Sequence, residues 1–323
     1  MGSTFHPGEV ALHRRMGVAQ RLDEIGDKVI HDHMPEPHRA FFAQLPTLLI
    51  GSVDAAGRPW ASALIGQPVF LRATDARHLR IDTLPSPDDP FAAHLAIGAP
   101  VGVLGLEPAT RRRNRMNGRV AAVSSGGFEV EVDQCFGNCA QYIQARTPQQ
   151  VAIGPTSARH LGAQLDAPAR ALVEGADTLF IASAASASAL EARNGGVDVS
   201  HRGGKPGFVR VENLNGATVL TRPEFTGNFF FNTLGNLILH PHAGLLFVDH
   251  DSGAVLQLTG RAEVTDDGAE LRSFIGARLM VQVQVQVQVQ VQVCSAVWRS
   301  GAIPLRWSAP EPAWQLARTG SWA

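Results

Sequence analysis

Cysteine is scarce, with Cys135, Cys139 and Cys294 the only three in 323 residues. An odd, sparse set argues against a disulfide framework and fits a reducing compartment. No apolar run reaches the length of about 18 residues that a membrane span needs, and Met1 to Arg15 carries His, Glu and Arg where a secretory signal would be apolar. The expectation is a soluble cytoplasmic protein with no membrane partner. Net charge is also nearly absent, at −1. Nothing therefore draws the whole chain toward nucleic acid, and an anionic ligand would have to be held by a local cluster. Neither a Walker loop nor a Gly-x-Gly-x-x-Gly after a strand occurs, which argues against Rossmann-type nucleotide chemistry.

What the chain does have is a repeat. It is long and apolar enough for two domains, with 45% hydrophobic residues. Thr47-Leu48-x-Ile50-x-Ser52 recurs as Thr178-Leu179-x-Ile181-x-Ser183. Ser62, Gly66, Pro68, Phe70 and Arg72 recur at the same spacing as Ser200, Gly204, Pro206, Phe208 and Arg210. Gly102-x-Leu104 and Gly118-Arg119 recur as Gly244-x-Leu246 and Gly260-Arg261. The offset grows from 131 to 138 to 142, as loop insertions in the second copy would require. Each copy shows short strands punctuated by turn signals and one helix-like insert, Phe91 to Ile97 and Thr233 to Leu239, the pattern of small closed or split barrels.

The chain accordingly divides into an N-terminal helical segment, 1–44, with one amphipathic helix from Glu9 to Ile30 and a shorter one from Pro37 to Gln44. A first barrel half follows at 45–146, then a linker at 147–176 with a helix around Ala169 to Glu174. The second barrel half spans 177–308, and 309–323 is a tail. Within the second half, Val281 to Val293 alternates valine and glutamine strictly. This is the period of a strand with one apolar and one amide face, with register slippage and edge-to-edge pairing as hazards.

The copies differ most where Leu64-Ile65-Gly66-Gln67 becomes Arg202-Gly203-Gly204-Lys205. With Arg210, three cations then lie on one glycine-flanked stretch, suited to a phosphate. Thr221, Asn228 and the Asn232-Thr233 pair at an expected helix start follow downstream. Spacing alone favours a solvated strand end with an ordinary N-cap over a phosphate site. His31, His33 and His38 flank Met-Pro-Glu-Pro but are expected to be exposed side chains, so no metal site is assigned. Arg111 to Arg115 is read as a solvated edge strand. It lacks the aromatic interleaving of a nucleic-acid groove, and no nucleic-acid partner is expected.

Lys205-Pro-Gly-Phe-Val-Arg210, Asn213-Leu-Asn-Gly216, Gly227 to Asn236, His240-Pro241 to Phe247 and Leu256-x-Leu-Thr-Gly-Arg261 together resemble the pyridoxamine 5′-phosphate oxidase-like, FMN-binding split-barrel family. Gly105 to Arg119 and Gln134 to Ile143 resemble its tandem-barrel subgroup, and the resemblance runs from Phe5 to Trp307. It implies a mainly β fold with peripheral helices, in which two tandem split β-barrels form a pseudo-dimer. It also implies FMN held by Arg202, Lys205, Arg210, Thr221, Asn228, Asn232, Thr233 and Gln257, with Asn138 and Cys139 lining the pocket. Family oxidases carry Arg-Lys where this chain has Asn232-Thr233, so two charges are missing from the phosphate site. The family's substrate-binding Arg and His near the C-terminus have no counterpart here, and pyridoxamine phosphate is not expected as substrate.

The implied function is an FMN-dependent oxidoreductase acting on a small molecule, with a reduced nicotinamide or reductase as a separate electron donor and a homodimer possible. No acid, base or nucleophile is named, because a flavin carries its own redox chemistry. The alternatives are a non-catalytic flavin- or haem-binding module and a structural or interaction protein that has lost the cofactor.

Overall fold

The computed structural model describes residues 4–67, 69–152, 154–186, 194–265, 274–275 and 285–322. Pro68 and residues 281–284 of the Val-Gln run lie outside them.

The Asp54 turn signal acts through its side chain. Its carboxylate accepts from the backbone N–H groups of Ala56 at 2.9 Å and Arg58 at 2.8 Å, while Gly57 takes a φ of 79°. This Asx-type turn returns β1 (Thr47–Val53) as β2 (Pro59–Ile65). The first half continues with β3 (Leu71–Ala73), β4 (His78–Ile81), β5 (Pro100–Glu107), β6 (Arg112–Ser124) and β7 (Gly127–Gly137). The second half holds β8 (Thr178–Ala184), β9 (Val197–Gly203), β10 (Arg210–Leu214), β11 (Ala217–Phe225), β12 (His242–Val248), β13 (Val255–Thr265) and β14 (Val285–Ser300).

The first sheet runs β2-β1-β5-β6-β7-β4-β3 and the second β9-β8-β12-β13-β14-β11-β10. Each strand of the first sheet thus has a counterpart seven labels on. The repeat offsets reappear in the hydrogen-bond register. Thr47 pairs with Ile65 as Thr178 pairs with Gly203, and Leu49 pairs with Leu104 as Phe180 pairs with Leu246. A bulge between Asn117 and Gly118 recurs between Thr259 and Gly260. All these pairings are antiparallel, and neither path closes into a barrel among the described residues.

Strand alternation builds three cores. Leu48 and Ile50 of β1 face a first-half core with Phe42, Phe91 and Phe128, and Leu179 and Ile181 of β8 face a second-half core with Phe247 and Leu258. Leu49, Leu104, Phe180 and Leu246 form a third core between the halves. Strands buried on both faces explain the continuous apolar runs. The two sheets approach closely where the repeat has glycine: a Cβ on Gly102 would sit 2.7 Å from the Val197 carbonyl oxygen, and one on Gly244 would sit 2.4 Å from the Pro59 carbonyl oxygen. Backbone meets backbone there, which no larger residue permits.

Several sequence expectations are corrected. The segment expected as one helix is two, α1 (Pro7–Arg15) and α2 (Ala19–Val29), because the chain turns at Gly17 with a φ of 67°. Next come α3 (Glu36–Ala43), α4 (Ala167–Gly175) and α5 (Asn232–Leu239). The first-half counterpart of α5 is only a 3-10 turn, Pro90–Ala93, capped by Asp89. The 147–176 segment is pinned to the second half, since Pro148–Gln150 pairs with Leu305–Trp307 and Ser157–His160 pairs with the end of β14.

Arg112 to Arg115 lie on β6, which is an interior strand between β5 and β7 rather than an edge. In the Val-Gln run, Val289, Val291 and Val293 face the second core, and Gln290 donates to the Thr221 hydroxyl at 3.2 Å. With β13 and β11 on its two sides, β14 offers no free edge over the stretch that pairs with both. No described helix is long and apolar enough to cross a membrane.

Candidate functional site

A cleft of about 830 Å³, counting its open mouth, lies where β6 of the first half meets β9, β11 and the start of α5 in the second. Four arginines line it, Arg113, Arg115, Arg202 and Arg222, against one carboxylate, Glu224.

Alternation along β6 sends Arg113 and Arg115 toward the second half and Arg112 the other way, onto the Phe41 ring. Arg115 reaches the Asp198 carboxylate at 2.7 Å and donates to the Ser200 hydroxyl. Arg113 donates to the Cys139 carbonyl at 2.5 Å. From β9, Arg202 holds Glu224 at 2.8 Å, and from β11 Arg222 holds the same carboxylate at 2.6 Å.

The site is short of negative charge. Arg115 and Arg222 are each 3% exposed, yet among the described residues Nε of Arg115 and both Nε and Nη2 of Arg222 have no hydrogen-bond partner, nor does Nδ2 of Asn138. Burial, reinforced by Arg202 and Arg115, pulls the Arg113 guanidinium down to about 9. Arg115 and Arg222 are lowered chiefly by burial. Burial opposes ionisation of Glu224, but Arg202 and Arg222 outweigh it and hold the acid below its ordinary value. Buried donors without acceptors cost free energy that an acceptor-rich anion would relieve.

The start of α5 points the same way. Thr233 donates to Ser200 at 3.2 Å, the N-cap position is Phe231 with no side-chain cap, and first-turn N–H groups without a cap favour an anion. Tyr142, Phe229 and Phe231 line the cleft with φ of 63°, 63° and 59°. Left-handed backbone at bulky residues is the kind of strain that collects at functional sites. Behind the cleft, Gly8 of α1 packs on Gly235 of α5 and brings in Glu9, whose carboxylate accepts from Asn232 and from the His6 backbone N–H. Burial raises the Glu9 acid to about 8 and lowers His6 to about 4.

Of the residues singled out from sequence, the cleft gathers Arg202, Asn228, Asn232, Thr233, Asn138 and Cys139. Asn228 and Asn138 are joined at 3.4 Å, and the Cys139 thiol is half-buried. The other four lie elsewhere. Lys205 follows the end of β9 and donates to the Thr319 carbonyl at 2.8 Å. Arg210 pairs with Glu212 at 2.9 Å and stacks on Trp322. Thr221 sits on the opposite face of β11 from Arg222 and meets Gln290.

Gln257 is fully buried in a different place, donating to Ser62 at 2.9 Å beside the Asp89–Arg299 ion pair. That place is the cleft's repeat counterpart: Arg115 and Gln257 are 142 apart, Ser62 and Ser200 are 138 apart, and the Arg115–Ser200 contact recurs as Gln257–Ser62. There Arg299 enters and meets Asp89 at 2.5 Å.

Sequence reasoning missed Arg113, Arg115, Ser200 and Arg222. The alternation that puts Arg113 and Arg115 on one strand face was the available signal; the partner face, over 80 residues away, was not. Among the described residues no group of three or more His, Cys, Asp or Glu could hold a metal ion. His38 instead meets the buried Cys135 at 3.2 Å, and burial pushes that thiol up to about 12.

No family model matches the chain, and no curated protein matches it. Among solved structures it is similar to a protein from Clostridium acetobutylicum related to general stress protein 26 of B. subtilis, of the pyridoxinephosphate oxidase family. The identity is 14%, covering 44% of this chain and 91% of that one, with a TM-score of 0.27. It is also similar to a candidate 5-nitroimidazole antibiotic resistance protein from Bacteroides thetaiotaomicron, at 12% identity over 51% of this chain and 95% of that one, with a TM-score of 0.28. TM-scores this low set neither the fold nor the function of this chain.

Proposed function

We propose that the cleft binds FMN and that the protein is an FMN-dependent oxidoreductase acting on a small molecule. The observation that carries this reading is the set of buried guanidinium donors without acceptors among the described residues, on Arg115 and Arg222, which line the same cleft as the uncapped start of α5. The residues present suit a phosphate there: Arg115, Arg222 and Thr233 would hold it, with Arg202 and Arg113 adding positive field. Asn138, Asn228 and Asn232 are neutral groups able to exchange hydrogen bonds with a polar ring edge. These guanidiniums replace the charges missing at Asn232-Thr233.

Bound FMN would supply electron transfer. The chain's part is to bind, orient and exclude water: the halves bury the cleft floor between them, Glu224 fixes Arg202 and Arg222, and Asp198 fixes Arg115.

On this reading the two sheets are tandem split barrels in a pseudo-dimer, 45–146 and 177–308, with one working site and a counterpart filled by Asp89 and Arg299. Reducing equivalents come from a separate donor. The test is the visible spectrum of the purified chain, followed by FMN titration if it is colourless. Flavin bands, or saturable binding at micromolar FMN, are expected; absence of both sinks the proposal.

A further inference from the structure

Behind the cationic cleft lies a second cavity, of about 550 Å³ counting its opening. His201 is a wall of both. The cavity sits between the halves, and its lining is apolar: Leu49, Leu106, Ile143, Phe180 and Ile303 are each at most 6% exposed, and Trp307 completes the wall. Its rim residues Arg146, Thr178, Val248 and His250 also border an open surface depression.

The cavity is uncharged. Arg146, the cation on its rim, is held by Asp177 at 2.7 Å. His201 stands edge-on to Phe180 at 5.9 Å between ring centroids, and His250 edge-on to Trp307 at 5.1 Å. Burial keeps both imidazoles neutral at physiological pH: it lowers that of His250 to about 4 and, with the nearby Arg113 and Arg202 guanidiniums, holds that of His201 well below its ordinary value. A chamber walled by leucine, isoleucine and aromatic rings holds water poorly. Two neutral imidazoles still offer one donor and one acceptor each.

We infer that this chamber is a binding site for a neutral aromatic molecule of one or two rings, entering past Val248 and His250 and hydrogen-bonded at its polar end by His201 or His250. A charged ligand would find no free counter-charge here, and a purely polar one would lose its hydration against apolar walls. The inference does not rest on what the cationic cleft holds.

Indole is a suitable probe: neutral, two-ringed, with a single N–H donor. Titration calorimetry of the full chain should show saturable one-site binding. Ala63→Phe, which fills the chamber, and Val248→Trp, which narrows its half-buried rim, should each weaken indole at least tenfold. Arg222→Gln in the other cleft should leave indole affinity unchanged while FMN affinity falls, so the two sites fail separately. Should Ala63→Phe not fold, as judged by circular dichroism and melting, Val248→Trp carries the test. No saturable heat with the folded wild type, or equal affinity in the folded blocked variants, would overturn the inference.

Discussion

Arg299 of β14 lies 2.5 Å from the Asp89 carboxylate, which in turn caps the Phe91 N–H at 3.0 Å, so one buried ion pair ties the last sheet strand of one half to a turn of the other. Asp89 is 2% exposed and Arg299 7%. Breaking such a pair leaves a buried charge uncompensated, so Arg299→Ala should cost about 3–5 kcal/mol in urea unfolding. Replacing both partners with apolar residues of similar volume, Asp89→Leu with Arg299→Met, should recover more than half of that loss. Equal losses in the single and double variants would show that the pair itself is not what matters.

The cleft assignment makes a contrast among cations. Arg222→Gln removes unpartnered donors from the cleft and should weaken FMN at least tenfold, about 1.4 kcal/mol, in a fluorescence titration. Lys205→Ala and Arg210→Ala, whose side chains are held by Thr319 and by Glu212 and Trp322, should change it less than twofold. The reverse ordering would return the site to the strand-end cations.

Glu9 sets a pH dependence of definite sign. Its acid is held at about 8 in the folded chain by burial, against about 4.3 unfolded. Between those values the folded state binds the extra proton, so stability falls as pH rises through roughly 4.5 to 8 and is level above. Glu9→Gln keeps the contact to Asn232 without the charge. Its unfolding free energy relative to the parent, measured by urea titration, should therefore climb across that window, toward an upper bound of roughly 5 kcal/mol at 1.36 kcal/mol per pH unit. A constant difference from pH 5 to 8 would mean Glu9 is ionised in the folded chain.

The approach of the two sheets can be probed through glycine. Gly244→Ala would put a methyl 2.4 Å from the Pro59 carbonyl oxygen, and a contact of backbone against backbone relaxes only by moving the halves apart. A loss of about 1–3 kcal/mol is expected. Gly175→Ala, at the end of α4 with nothing within 4 Å, should be neutral or stabilising by roughly 0.4–1 kcal/mol. Measured melting temperatures that move together would contradict the close approach.

The repeated strand pattern is legible in the residues alone, because glycine spacing and alternation are local properties that a strand reads directly. The offsets between Thr47 and Thr178, Ser62 and Ser200, and Gly102 and Gly244 are kept in the hydrogen-bond register. Part of the site was legible as well, since Arg202, Asn232 and Thr233 do meet in one cleft. Tertiary structure decided the rest. One residue of phase along β11 exchanged Thr221 for Arg222, a distinction no motif fixes. Docking of the halves brought Arg115 onto Asp198 and Ser200, turning an apparently solvated basic run into the cationic wall of a cleft. That contact depends on two sheets meeting across more than 80 residues of chain, and only the packing of glycine against backbone sets how close they come.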